Sequence, residues 1–201
     1  MRVIGLTGGI GTGKSQVARI LEELGAVVVN ADLLGHLTYK PDTETWQQIV
    51  DAFGPEVVGP EGEIDRKRLG RIVFSSPDAK TRLDVIVWPQ IAILAQRQIE
   101  NLRKQETDKI VLEAAVLVEA GWDFLVDEVW VTHAPREIVR QRLKLRDGLT
   151  TEEIDRRIDA QIPFEERLKE GYIPIENAST LEALRDRVET LWRRRIKESA
   201  E

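Results

Sequence analysis

The chain contains no cysteine. That excludes a disulfide framework, a thiolate metal site and a cysteine nucleophile. Histidine is almost as scarce, and His36 and His133 lie far apart in different sequence contexts, so neither belongs to an imidazole metal motif. No run is long and apolar enough to span a bilayer, and the N-terminal residues enter a strand-like segment without the apolar stretch of a secretory leader. A cytoplasmic, non-membrane protein is the expectation. A strongly basic balance is also missing: 35 acidic residues outnumber 29 lysines and arginines, for a net charge of −6. Nucleic-acid binding is therefore not expected. The basic clusters Arg66-Lys67-Arg68 and Arg193-Arg194-Arg195 lie among acids in helical patterns and read as solvated faces.

What is present begins at residue 8. Gly8-Gly9-Ile10-Gly11-Thr12-Gly13-Lys14-Ser15 fills G-x-x-x-x-G-K-[ST], the phosphate-binding P-loop. Before it, Val3-Ile4-Gly5-Leu6-Thr7 reads as a buried strand. After it, Val17, Ile20, Leu21 and Leu24 share a helical face. Strand, glycine loop and helix together form an anion site: glycines let backbone N–H groups approach phosphate, and the helix start adds its positive dipole end. Gly9, Gly11, Thr12, Gly13, Lys14, Ser15 and Gln16 are the expected contacts to a nucleoside triphosphate, with Lys14 on the outer phosphates and Ser15 on Mg²⁺.

Further along, Gly25 closes the first helix and Ala26-Val27-Val28-Val29 follows as a strand running into Asn30-Ala31-Asp32. The next strand pattern, at Lys109-Ile110-Val111-Leu112, comes only after a long helical stretch. There, Trp46, Ile49, Val50 and Phe53 form a stripe, Ser76-Pro77 reads as a helix start, and Trp88-Pro89 predicts a break or kink. Glu128–Thr132 is the fourth strand. Pro135 opens an arginine-rich helix, Thr150 and Glu153 form a capping box, and Gly171–Ile175 is a short fifth strand. Ser179 and Glu182 form a second capping box ahead of a helix carrying Leu184, Val188, Leu191 and Trp192. Trp46, Trp88 and Trp192 are expected in the core. The fold expected is α/β: a P-loop core with a five-stranded parallel sheet flanked by helices. One domain is expected, with core segments 1–32, 107–135 and 171–201, a helical substrate-binding insert at 33–106 and a helical lid at 136–170.

Ligands in such sheets sit at the carboxyl ends of the strands. That brings four more groups into question. Asp32 is either the carboxylate that accepts a proton from a phosphate acceptor or a helix N-cap. Glu113 is either an acid beside magnesium or a solvated strand end. Glu119, among Val116, Leu117 and Val118, is either a ligand contact or an exposed edge. Arg136, Arg140, Arg142 and Arg146 are surface charges or, for Arg140, Arg142 and Arg146, part of a lid over the phosphates. Asp32-Leu33-Leu34-Gly35 matches a GTPase switch string, but no Asn-Lys-x-Asp guanine reader accompanies it.

With these residues assembled, the chain resembles the dephospho-coenzyme A kinases nearly end to end. The resemblance is carried by Gly5–Ser15, Ala31-Asp32 with His36, Phe53-Gly54, Arg68–Phe74 and Val116–Glu119. It continues through Arg142–Asp147, Gln161-Ile162-Pro163 and Glu176-Asn177. It implies transfer of the ATP γ-phosphoryl group to the ribose 3′-hydroxyl of dephospho-CoA, with Mg²⁺ and by a monomer or weak homo-oligomer. On that resemblance Asp32, Lys14 and Arg142 are catalytic, and Arg146 and Asn177 join the ATP site. Thr7, Asp32, His36 and Glu119 bind the acceptor, and Ser15 and Glu113 serve the metal. The chain departs from the family at Asn30, where aspartate is usual, at Trp88, where histidine is common, and at Gln16 in place of threonine. The rival readings are another small-molecule kinase on the same core and a non-catalytic nucleotide-binding switch.

Overall fold

The computed structural model describes residues 2–197. It separates into two compact units. One holds the residues up to Asn30 and those from Ile99 onward; the other spans Ala31–Gln98. The helical unit thus begins at Ala31, so Asp32 belongs to it by chain position, and residues 99–106 return to the sheet unit.

The sheet unit is built on β1 (Arg2–Gly8), β2 (Val27–Asn30), β3 (Lys109–Glu113), β4 (Glu128–His133) and β5 (Ile173–Glu176). All neighbours pair in parallel, in the order β2-β3-β1-β4-β5. The expected five-stranded parallel sheet is what forms. β1 is central and buried along Val3–Gly8, as a strand covered on both faces must be. The chain moves to one side of β1 for β2 and to the other for β4, and ligand crevices open at that reversal, beyond the strands' carboxyl ends.

Helices α1 (Lys14–Glu23) and α9 (Leu181–Lys197) pack on the sheet. Their cluster includes Leu6, Val17, Leu21, Trp130, Val188 and Trp192. Trp130 and Trp192 meet edge to face, ring centroids 6.4 Å apart. α1 ends as its sequence dictates: Gly25 takes φ +89°, its N–H bonds to Glu22 C=O, and the Ala26 N–H reaches Leu21 C=O. These two bonds make a Schellman stop, which frees the chain to enter β2. The start of α9 differs from expectation. Thr180, not Ser179, is the cap, its Oγ1 accepting from Ala183 N–H at 3.3 Å. The two hydroxyl residues are adjacent, and the sequence pattern selects between them by one position.

Three further helices, α6 (Arg136–Asp147), α7 (Thr151–Asp159) and α8 (Phe164–Arg167), follow β4. The Thr150–Glu153 capping box is formed on both sides. Val139, Leu143 and Ile154 make a small core of their own, against which Ile10 of the glycine loop packs.

The helical unit comprises α2 (Ala31–Thr38), α3 (Glu44–Phe53), α4 (Arg66–Ser75) and most of α5 (Pro77–Lys104). Ser76 Oγ accepts from Ala79 N–H, as the Ser-Pro start requires. Trp46 and Trp88 are only half-buried, unlike Trp192. Trp46 donates its indole N–H to Gly62 C=O at 2.8 Å, and Lys80 stands over the Trp88 ring. A stripe position with a polar tip settles at the boundary rather than inside. No described helix is long and apolar enough to cross a membrane.

Of the break or kink expected from the sequence, the break does not occur: α5 runs through Pro89 as one helix. The proline ring leaves the Val85 carbonyl without its helical donor. Both Pro89 and Val85 are exposed, so water can serve that carbonyl and the helix continues. Pro89→Ala should restore the bond and raise stability by ~1–3 kcal/mol, the helix cost of proline less the entropy it removes from the unfolded chain. The midpoint of urea unfolding checks this; an unchanged or lower midpoint would contradict the account.

Candidate active site

The glycine loop joins β1 to α1. Three of its positions exclude side chains, Gly11 by its φ of +72° and Gly8 and Gly13 by the tightest approaches. A Cβ on Gly8 would stand 2.0 Å from Thr132 Oγ1, and one on Gly13 (φ +95°) 2.0 Å from Asn177 Nδ2. Gly13 is also the residue preceding α1, and no side chain caps the helix there. The first turn carries no acid either. An anion is the natural partner for the N–H groups of such a start.

Behind the loop a carboxylate gathers three donors. Glu113, at the end of β3, is only 4% exposed, so it is not a solvated strand end. Its Oε1 accepts from Lys14 Nζ at 2.7 Å and from Ser15 Oγ at 3.2 Å, and its Oε2 from Asn30 Nδ2 at 2.9 Å. Strand register explains the meeting: Glu113 lies beside Leu6 of β1 and Asn30 of β2. The Asn30 amide neutralises nothing. It donates where an aspartate would repel.

A second set of bonds fixes the loop's far half. Arg142 of α6 reaches Gly11 C=O at 3.3 Å and both Asn177 Oδ1 and Asn177 C=O at 3.0 Å. Asn177 is buried just past β5, and its Nδ2 donates to Thr12 C=O at 2.9 Å. Burial draws the Arg142 guanidinium pKa below its usual value, yet an arginine stays charged at neutral pH. Thr12 Oγ1 donates to Gly9 C=O at 2.7 Å and lies 2.7 Å from Thr132 Oγ1. Lys14, Ser15, Gln16, Arg142, Arg146 and Gln161 help line a cleft of about 770 Å³ over the loop.

The arginine-rich helix divides its residues by task. Arg142 faces the loop, while Arg146 pairs with Asp147 at the cleft's edge. Arg136 and Arg140 hold α7 instead: both bond to Asp155 at 2.8 Å, Arg136 also bonds to Asp159, and Arg140 also pairs with Glu137. Arg140, grouped by sequence with the phosphate-facing arginines, is therefore a helix-to-helix tie.

The remaining expected residues fall in different places. The Thr7 side chain is fully buried and its hydroxyl approaches Ala115 C=O at 3.4 Å. Glu119 is no exposed edge: its Oε1 accepts from Arg167 Nη2 at 2.6 Å. Arg167, 1% exposed, also donates to Ala115 C=O. Asp32 is the second residue of α2, not the residue preceding it, so it is no N-cap; it is exposed. His36 follows four residues later on the same helical face. Desolvation, then the charge of Arg66, draws its pKa below the usual 6.5, against a raising effect of Asp32. Two participants carry no motif signal, Arg167 in a short polar helix and Thr132 inside β4, while Asn30 stands out in the sequence only as a departure from the family's usual aspartate.

The tie between α6 and α7 yields a pH dependence. Hydrogen bonds from Arg140, and then Arg136, hold the Asp155 carboxyl at about 2. That lies below the ordinary unfolded value of about 3.9. The tie is therefore complete above that value and is lost as pH falls through about 2. Hydrogen-exchange protection factors of the α7 amides should hold steady from neutral pH to about pH 4 and drop only below it. Asp155→Asn should lower them already at neutral pH.

The chain resembles known proteins along nearly its whole length. The family model described as dephospho-CoA kinase matches residues 2–183. The dephospho-CoA kinase of Geobacter metallireducens is 45% identical over 199 residues, covering 99% of each chain. Among solved structures, TT1252 from Thermus thermophilus superposes with a TM-score of 0.78 at 33% identity, over 96% of this chain and 97% of that one. The dephospho-CoA kinase from Campylobacter jejuni gives a TM-score of 0.72 at 29% identity, over 98% of both chains. A glycine loop backed by Glu113, a sheet in β2-β3-β1-β4-β5 order and a match along nearly the whole length lead to one conclusion: the chain belongs to the dephospho-CoA kinase family.

Proposed function

We propose that the protein transfers the γ-phosphoryl group of ATP to the ribose 3′-hydroxyl of dephospho-CoA, giving CoA and ADP, the last step of CoA biosynthesis and an activity of the cytoplasm. The observation that carries this reading is the Lys14 ammonium fixed 2.7 Å from a buried carboxylate at an uncapped helix start, in a chain of this family.

In this reaction the ribose oxygen forms a bond to the γ-phosphorus as the bond to the β–γ bridging oxygen breaks. The transition state is loose, and its charge spreads over the transferred oxygens, so positive groups and N–H donors aimed at it matter most. Lys14 and Arg142 supply that charge, and Arg146 extends it along the cleft. Gly9 and the stretch from Gly11 to Gln16 cradle the phosphates, while the Ile10 N–H is taken by Gln161. Asn177 contributes by holding Arg142 and the Thr12 carbonyl in place.

Ser15 and Glu113 would hold Mg²⁺. Their oxygens lie 3.2 Å apart, and hard oxygen donors suit this ion. Among the described residues no cluster of three or more histidine or acidic side chains could hold a metal alone. That fits an ion that takes its other ligands from phosphate and water. When bound it would neutralise phosphate charge.

Asp32 takes the proton of the acceptor hydroxyl. Chain continuity supports this: Asp32 follows by two residues the Asn30 that bonds to Glu113. His36, on the same face of α2, is the companion acceptor contact, and burial holds its imidazole pKa below the usual value. Glu119 is a further acceptor contact, steadied by Arg167. Thr7 shapes the strand end from which the loop departs.

ADP release from ATP and Mg²⁺ should rise steeply when dephospho-CoA is added and not with shikimate or nucleosides. Indifference to dephospho-CoA would defeat the proposal. Asp32→Asn should lower turnover ~100-fold or more while ATP binding persists, and Lys14→Ala should abolish transfer. Near-normal turnover in either variant would remove that residue from the mechanism.

A further inference from the structure

Gln161 lies between α7 and α8, and its role follows from the chemistry of its carboxamide. Its Oε1 accepts from the Ile10 N–H of the glycine loop at 2.8 Å. Ile10 N–H can only donate, so the amide is oriented with its oxygen toward the loop. The other end, Nε2, carries two N–H donors, and no acceptor among the described residues takes either. Nε2 is not among the buried polar atoms that lack a partner, so it is open to the solvent-filled space. Gln161 lines the cleft that also contains Lys14 and Ser15.

Its position along the loop is the informative part. Arg142 and Asn177 grip Gly11 and Thr12, on the side where α1 begins. Gln161 sits at the other half, against Gly9 and Ile10, where the loop leaves β1. A Cβ on Gly9 would stand 3.1 Å from Gln161 Oε1, so the loop approaches the carboxamide as closely as glycine allows. The backbone behind it is also fixed: Gln161 N–H bonds to Ile158 C=O, and Ile158 packs in the same apolar cluster as Ile10. The carboxamide is thus held from both ends of its own segment, which is what a preoriented donor needs.

We propose that Gln161 Nε2 donates to the phosphoryl group in transfer, with Oε1 on Ile10 N–H setting its aim. This rests on the ATP reading of the loop. A chain of phosphates that starts at the α1 end of the loop meets Gln161 at its outer end, so the contact serves the group that moves rather than the ADP that stays. The residue acts without titrating.

Two variants test it. Gln161→Glu keeps size and keeps an oxygen for Ile10 N–H, but replaces the donor by a negative oxygen. Gln161→Ala removes both. The expected result is a kcat loss of ~10-fold or more for Gln161→Ala and a larger one, ~100-fold or more, for Gln161→Glu. ADP affinity by calorimetry and the thermal unfolding midpoint of Gln161→Glu should match the unsubstituted protein. Binding of ADP with aluminium fluoride, which imitates the transferring group, should weaken in Gln161→Glu while ADP binding alone does not. A residue that merely pins the loop gives the opposite order: Gln161→Glu near normal and Gln161→Ala impaired. That order, or unchanged ADP–aluminium fluoride binding in Gln161→Glu, would overturn the proposal. Failure of the unsubstituted protein to bind ADP would instead strike at the ATP reading, so the two failures are distinguishable.

Discussion

The site depends on a buried ion pair. Lys14 and Glu113 are largely withdrawn from water and meet at 2.7 Å. Desolvating two charges is unfavourable, and removing either partner would leave the other stranded, at a typical penalty of ~3–5 kcal/mol. The surroundings share the load: Ser15 and Asn30 donate to the same carboxylate. The geometry needs three parallel strands in register, because Glu113 must arrive beside both the loop after β1 and the end of β2. The sheet order is therefore a condition of the charge arrangement.

Around this pair the loop is held by chemically different grips. On the α1 side they are ionic and polar, from Arg142 and Asn177. On the β1 side they are a carboxamide and an apolar cluster that takes in Ile10. Exposed ion pairs, individually weak, tie α6 to α7 through Arg136, Arg140 and Asp155. The polar and apolar grips are concentrated on the glycine loop, and the weaker exposed ties lie in the helices that follow β4.

The sequence made the loop, the sheet and the capping box at Thr150 legible because each rests on local chemistry: glycine spacing, β-branched runs, a hydroxyl three residues before a glutamate. It also nominated Glu113 and Arg142, though each with a bland alternative that only tertiary contacts could remove. Arg140 and Arg142 look alike in sequence, yet one faces an aspartate on α7 and the other a glycine carbonyl. Two positions along a helix turn a side chain by about 200°, and which direction meets the glycine loop depends on where the neighbouring elements lie. Arg167 gave no signal, and Asn30 showed only as a departure from the family, because their partners are far away in the chain. Pro89 does not end its helix, because its consequence depends on whether the orphaned carbonyl reaches water.

Pro174 has a bearing beyond the site. It sits in β5, the outermost strand on its side of the sheet, and it is exposed. An unprotected edge strand is a template on which another chain can add itself. Here the edge is four residues long and one of its backbone nitrogens bears no hydrogen. A passing strand finds too few successive donors to zip along it. The same residue that weakens the fifth strand as a sequence pattern thus guards the sheet against growing into its neighbours.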